Sequence, residues 1–480
     1  MAYYHELLKL CAFDGAEIIS QKKRIERTFQ ILGLGSADME KAEARIRENF
    51  DIALLGVRKV LGIWLKELFD AVLAREEGKK IIYFGYPPFQ YTGSAIKVAA
   101  KSKNDFYVGC PEVVLCQTLG QIFDKLIPLL EAGEAAGLPP GHAMCSLLQI
   151  KLGALEKGII PIPDLSIATS YFCDMGPKAD ELMQYKYGYP VEYVDSCLDS
   201  VWGSWPDYNH ETVHYLGAQV NKLFVTLKDK FGLEINEDIW EKARLVSGKL
   251  YMSINELSRH LTADPVPLSV ADTELILNIP TGCTGVAIEE GPEAVRILAE
   301  EVGKRVEKGV GVVPKGSPRV VILMQSFSDT AVNRLIEEAG LAVPLTMVLL
   351  PPTRPPEPYP YPTLGEKRAE QAMFTGAYHS TYGWIKRNME GLKLVDLDGV
   401  IYTYPFSCRP IVCTSKLTQV QIEKEIGLPV LLLEMDLYDR RNYSIASMRT
   451  RLEAFAEMLK VNKVQGARCK EKVAHELVSS

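Results

Sequence analysis

CSLLQIKLGALEKGIIPIPDLSIATSYFCD, residues 145–174, sets one helical stretch and one apolar strand between two cysteines. Residues 145–158 read as the helix and Leu165–Thr169 as a buried strand. A second helical stretch at 177–187 and a strand at Val191–Val194 follow. Upstream, KKIIYFGYPP at 79–88 reads as a strand, and Pro87 and Pro88 bar its continuation as a helix. Asp105–Val108 is the next strand, and residues 112–135 read as helical. Strands that alternate with helices imply βαβ units and a parallel sheet.

The alternation returns downstream. PRVVILMQS, from Pro318, is a strand, DTAVNRLIEEAG a helix and VPLTMVLL another strand. DGVIYTY and LPVLLLEMD continue the series, and ASMRTRLEAFAEMLK closes it as a helix, with fraying expected over the last dozen residues. PPTRPPEPYPYP at 351–362 holds seven prolines and so reads as an extended surface crossing in preference to a lid. Residues 1–78 carry apolar side chains at 3–4 spacing, and residues 207–317 form long amphipathic helices. The expected class is therefore α/β, with two Rossmann-like parallel-sheet lobes. We divide the chain into an N-terminal helical region (1–78), a first α/β domain (79–206), a helical spacer (207–317) and a second α/β domain (318–480).

Composition narrows the function. The net charge is −7 and no dense Lys/Arg tract occurs, so nucleic-acid binding has no electrostatic footprint. No apolar run reaches the roughly 18 residues of a membrane span. MAYYHELLKLCAFDGAEIIS carries charges inside its apolar stretch, unlike a secretory signal. A cytoplasmic, reduced setting is expected. There, ten cysteines read as ligands, reactive thiols or small buried hydrophobes. GxxxxGK[ST] is absent, and GVGVVPKGS at 309–317 has Lys-Gly-Ser in the wrong order for a phosphate loop. No GxSxG elbow and no HExxH occur.

Three cysteines stand where chemistry gathers. Cys145 opens a helix, whose N-terminus favours a thiolate, while Cys173 and Cys408 each follow a strand. Ligands of open α/β sheets collect outside the carboxyl ends of the strands. Three thiols brought there from two lobes would hold a metal cluster in the cleft and leave one metal position open. The spacing by itself is unspecific, because no CxxC pair is present. Cys413, five residues after Cys408, could replace or supplement it, and Cys110 and Cys116 flank the Pro-Glu segment near the expected cleft. Glu112 reads either as an acid or base at the cleft or as a helix-terminal charge. Asp174 reads as a helix cap in preference to a partner of the Cys173 surroundings, and His142, three residues before Cys145, as a solvated loop histidine in preference to a contact of the cluster site. His210 and His214, at i and i+4, fit one solvated helix face as well as a metal pair.

Four segments in order add specificity. CPEVVLCQTLG, MCSLLQIKLGALEKGIIPIPDLSIATSYFCD, DGVIYTYPFSC, and LPVLLLEMD with MRTRLEAFAEML resemble the 2-hydroxyacyl-CoA dehydratase and benzoyl-CoA reductase subunit family over about residues 79–465. The resemblance implies two similar α/β lobes and a [4Fe–4S] cluster on Cys145, Cys173 and Cys408. It implies an acyl-CoA or aryl-CoA substrate, low-potential one-electron chemistry through a ketyl radical, and dehydration or ring reduction as the outcome. It also implies a paralogous subunit (a heterodimer, or a homodimer) and a separate ATP-dependent iron–sulfur activator. Some relatives carry six cysteines and a double-cubane [8Fe–9S] cluster and reduce small molecules. Cys110, Cys116 and Cys413 would complete such a set. A third reading is a non-catalytic partner that scaffolds a cluster-bearing twin.

Overall fold

The computed structural model describes residues 2–85, 91–100, 105–139, 144–170, 173–195, 205–282, 285–324, 329–350, 359–374 and 381–478. Two four-stranded sheets organise them. The first contains β1 (Lys80–Phe84), β2 (Phe106–Gly109), β3 (Leu165–Thr169) and β4 (Val191–Val194), in the order β2-β1-β3-β4. The second contains β5 (Arg319–Leu323), β6 (Ala342–Thr346), β7 (Gly399–Pro405) and β8 (Val430–Met435), in the order β6-β5-β7-β8. Every pairing is parallel, with Ile82 opposite Val108 and Leu165 in one sheet and Val321 opposite Val400 in the other. β3 and β5 are buried along their whole length, as expected of strands covered by helices on both faces. The two lobes therefore share one topology. In each, the order reverses beside the first strand, between β1 and β3 and between β5 and β7.

The long helices form where capping and periodicity agree. Helix His210–Phe231 begins at Asn209, whose side chain accepts from the Glu211 amide, and stops at Gly232 with φ +68°. Helix Glu237–Leu261 begins at Asn236, which accepts from the Ile239 amide. These helices, helix Val286–Glu307 and the N-terminal helices share one continuous core with β1, β2 and β3. Residues 207–317 thus pack back on the first lobe as well as linking the two. Helix Leu364–Met373 also leaves the second lobe. Its Ala369, Ala372 and Met373 join the first core, and Arg368 stacks over Trp240. The second sheet has two core layers of its own, one on each face.

Two stretches depart from the sequence reading. Residues 112–135 are not one helix. Helix Pro111–Leu115 widens at Cys116–Gly120, where the Gln121 amide reaches the Cys116 carbonyl and the Phe123 amide reaches that of Thr118. Asp124 then turns left-handed at φ +54°, and Pro128 sits in the first turn of the next helix, Ile127–Ala135. The closing helix runs further than expected, from Ile445 to Val478. No described helix is long and apolar enough to cross a membrane. GVGVVPKGS is a connector before β5, with its Gly316 amide held by the Asp264 carboxylate.

Asp272 offers a stability test away from the sheets. Its side chain is 1% exposed and accepts hydrogen bonds from Ser269 Oγ and the Asp51 amide. Burial pushes its carboxyl up to about 7. The folded chain thus keeps a proton that the unfolded chain releases above about pH 4. Stability contributed by this group is fully present below that value and is lost as pH rises to 7. Asp272→Asn keeps an oxygen for the Asp51 amide. Urea unfolding is expected to match the wild type near pH 4 and to show a gain of up to about 4 kcal/mol at pH 8. An equal ΔG difference at both pH values would contradict this assignment.

Candidate active site between the lobes

Equivalent strand ends place two of the thiols. Cys173 follows the end of β3 at Thr169, and Cys408 follows the end of β7 at Pro405; these are the corresponding strands of the two lobes. Each thiol precedes a helix, Met175–Tyr187 or Arg409–Glu425. Cys145 is the residue immediately before helix Ser146–Glu156. All three belong to the carboxyl edges of parallel sheets, beside the reversals of strand order.

The thiols lie within electrostatic reach of one another. Burial, then Cys408 and Cys173, pushes the Cys145 thiol well above its ordinary range. Burial, then Cys173, pushes Cys408 up to about 12. Burial also raises Cys173, opposed by the Gly176 and Met175 amides. Amides of Leu147 and Ile411 act in the same opposing sense on Cys145 and Cys408. Without a cation these thiols hold their protons at neutral pH. Each nevertheless faces helix N-terminal amides that would stabilise a thiolate once a cation took the proton's place. Among the described residues, no three His, Cys, Asp or Glu side chains close around one point as they would around a single ion. A four-iron cubane spaces its thiolates more widely, and an all-thiolate donor set from helix N-termini suits such a group.

Contacts between the lobes frame the thiols. Ser146, next to Cys145, donates to Asp436 Oδ1 at 2.5 Å, and Asp436 follows the end of β8. The Tyr438 and Asp439 amides and Asn442 also donate to Asp436. Arg440 pairs with Asp124 at 2.6 Å, and Arg441 pairs with Glu134. On the other side, Arg409 pairs with Asp174 at 2.7 Å, joining the residue after Cys408 to the residue after Cys173. The expected cap role of Asp174 is corrected here. Its side chain caps no helix amide and is drawn instead to Lys178 and Arg409.

The other sequence candidates fall in distinct places. Cys116 is buried in the widened turn and interacts with Glu112 and Cys145. Cys110 is buried among Glu112, Lys151 and Asp180, and no thiol is among the charges that shift it. Cys413 is exposed on the Cys408 helix. Glu112 has no exposed surface, lies in the first turn of its helix and faces Lys151 Nζ at 3.9 Å. That position places it in the protein interior, away from solvent in the cleft. His210 Nδ1 meets the Tyr361 hydroxyl at 2.5 Å and His214 Nδ1 meets Glu366 at 2.7 Å, so the two rings turn to different partners. His142 and residues 351–358 of the proline segment lie outside the described residues. Beside the start of β1, at the opposite edge of the sheet, lies an open cavity of about 1610 Å³, lined by Lys79, Lys97, Lys249, Arg259 and several carboxylates.

Sequence reasoning missed Lys151, Asp180, Ser146, Asp436 and Arg409. One signal was available: SLLQIKLGAL is buried throughout, and Lys151 is its one charged residue. A lysine in a helix without a polar face requires a buried partner.

The family model described as 2-hydroxyglutaryl-CoA dehydratase, D-component, matches residues 123–459. The chain is similar to the alpha subunit of (R)-2-hydroxyglutaryl-CoA dehydratase of Acidaminococcus fermentans, 22% identical over 68% of this chain and 67% of that one. It is also similar to the (R)-phenyllactyl-CoA dehydratase alpha subunit of Clostridium sporogenes, 21% identical over 70% of this chain and 81% of that one. A third similarity is to the (R)-2-hydroxyisocaproyl-CoA dehydratase alpha subunit of Clostridioides difficile, 21% identical over 74% of this chain and 91% of that one.

Proposed function

Because the chain belongs to the 2-hydroxyglutaryl-CoA dehydratase D-component family, we propose that it is the cluster-bearing subunit of a 2-hydroxyacyl-CoA dehydratase. The observation that carries this reading is the meeting of Cys145, Cys173 and Cys408, from two lobes, at the carboxyl edges of two equivalent parallel sheets. These residues would hold a [4Fe–4S] cluster and leave one iron without a protein thiolate. When bound, that group supplies one-electron chemistry, which in this family serves the loss of water from a 2-hydroxyacyl thioester.

The chain's own residues do the holding and the shielding. Helix amides at Leu147, Gly176, Met175 and Ile411 face the three thiols and offset their burial. The Ser146–Asp436 and Asp174–Arg409 contacts bring the thiols of one lobe to that of the other. The relatives are named as alpha subunits of dehydratases, which supports a second subunit as partner. An ATP-dependent iron–sulfur activator is the expected electron source, since the chain has no GxxxxGK[ST] of its own. Dehydration is preferred to ring reduction because the relatives named above are all dehydratases. The six-thiol alternative gains no support from Cys413, which is exposed, or from Cys110, which sits among charged side chains.

The test is anaerobic purification of the chain with its partner subunit. A brown protein with roughly four irons and four sulfides per chain is expected. With activator and ATP, it should convert a (R)-2-hydroxyacyl-CoA to the enoyl-CoA. An iron-free chain that still supports turnover by its partner would reassign it as a scaffold. Roughly eight irons would favour the double cubane.

A further inference from the structure

Below the thiol ends of their helices lies a buried charge cluster that the proposed cysteine site does not itself use. Lys151 is 1% exposed, and its ammonium lies 2.9 Å from Asp180 Oδ1 and 3.9 Å from Glu112 Oε1; those side chains are 1% and 0% exposed. Ser166, inside β3, donates to the same Asp180 oxygen at 3.1 Å. Asp180 Oδ2 presses on the end of β1, where a side chain at Gly85 would stand 2.5 Å from it.

The placement of the three groups is informative. Lys151 is on the helix that Cys145 opens, Asp180 on the helix that follows Cys173, and Glu112 on the helix that Cys110 opens. Lys151 is six residues past Cys145 and Asp180 seven past Cys173, so each lies roughly 10 Å along its helix from the thiol end. One ammonium thus ties together the helices that present two of the three thiols. Buried ion clusters contribute little net stability, because desolvation consumes most of the attraction. A geometric role explains the cluster better.

We propose that Lys151 is a positioning residue, which sets the separation of Cys145 from Cys173 by locking their helices through Asp180. The inference rests on the proposed role of those thiols, but it concerns the cysteine geometry of the metal-free chain. Cys408 is held separately, through Ser146–Asp436 and Asp174–Arg409. The network therefore governs where Cys145 stands, while the Cys173–Cys408 pair keeps its own tie.

The experiment uses the reduced, metal-free full chain, the short thiol cross-linker dibromobimane and peptide mapping of each linked pair. Lys151→Met alone strands two buried carboxylates and invites misfolding, so two other variants are used. Asp180→Asn weakens the tie directly. The neutral set Lys151→Met, Glu112→Gln, Asp180→Asn removes the charge cluster together. Both are expected to melt near the wild-type temperature and to lose Cys145–Cys173 cross-linking severalfold, with Cys173–Cys408 cross-linking, which the Asp174–Arg409 pair holds, unchanged. In reconstituted protein, the cluster EPR signal should broaden in both. Unchanged Cys145–Cys173 cross-linking would overturn the proposal, as would equal loss at all pairs, which marks general loosening. An iron-free wild type would instead sink the functional reading and leave the cross-linking result standing.

Discussion

Cys145→Ala, purified without oxygen, is expected to be colourless and to keep less than about a tenth of the wild-type iron, because a proposed three-thiolate cubane would then have two irons without a protein thiolate. Cys173→Ala and Cys408→Ala should behave alike, since the proposed site draws on all three thiols, which lie within electrostatic reach of one another. The informative comparison is with the remaining candidates. Cys413 is exposed and Cys110 faces Lys151 and Asp180, so both alanine variants should retain full iron and colour. Cys116 feels the charge of Cys145, yet it comes from a buried widened turn. Its alanine variant should also retain iron. Iron analysis, sulfide analysis and EPR on the six variants decide the matter. Loss of half the iron in the Cys110, Cys116 and Cys413 variants would replace the three-thiol site with a six-thiol one. Melting curves guard against misfolding, since each truncation removes only one sulfur.

The second large effect concerns how the Cys145 helix is seated. Helix Ile127–Ala135 and helix Ser146–Glu156 cross with their backbones in contact. A side-chain carbon at Gly153 would lie 1.9 Å from the Leu129 carbonyl oxygen, and one at Gly133 would lie 2.2 Å from that of Gln149. Neither obstacle is a flexible side chain. Gly→Ala in a helix interior ordinarily stabilises by about 0.5–1 kcal/mol. Here the sign should reverse. Gly153→Ala is expected to destabilise by about 2–3 kcal/mol and Gly153→Val by more, through forced separation of the helices. Iron content should fall in step, because the displaced helix carries Cys145 at its start. Gly248, inside helix Glu237–Leu261 with nothing within 4 Å of its would-be side chain, is the matched control. Gly248→Ala should raise the melting temperature. If both alanine variants gain stability in urea unfolding, the close helix crossing is refuted.

Much of the fold was legible because buried parallel strands write themselves as short apolar runs. LSIAT is a strand over its expected bounds, and RVVIL and VIYTY lie inside β5 and β7. Long amphipathic helices were equally plain in residues 207–308, as seen in His210–Phe231 and Glu237–Leu261, while Val286–Glu307 begins five residues before its expected start. The break at Cys116–Gly120 was not legible, since apolar spacing continues through it while the Cys116 and Thr118 carbonyls reach amides five residues on. Helix Leu364–Met373 looked like a member of the second lobe by position, and only packing placed its apolar face on the first.

The sequence by itself determined the two parallel sheets and the positions of Cys145, Cys173 and Cys408 at helix starts and strand ends, because those features depend on local periodicity. Only the tertiary structure decided which residues pair with one another around the helices that begin near the thiols. Lys151 with Asp180, Ser146 with Asp436 and Asp174 with Arg409 are separated by 29, 290 and 235 positions. Their pairing follows from how the helices pack and how the lobes face each other, and burial turns an ordinary lysine or aspartate into a fixed point. No local pattern encodes such a pairing, whereas the chain's hydrophobic periodicity encodes the scaffold that makes it.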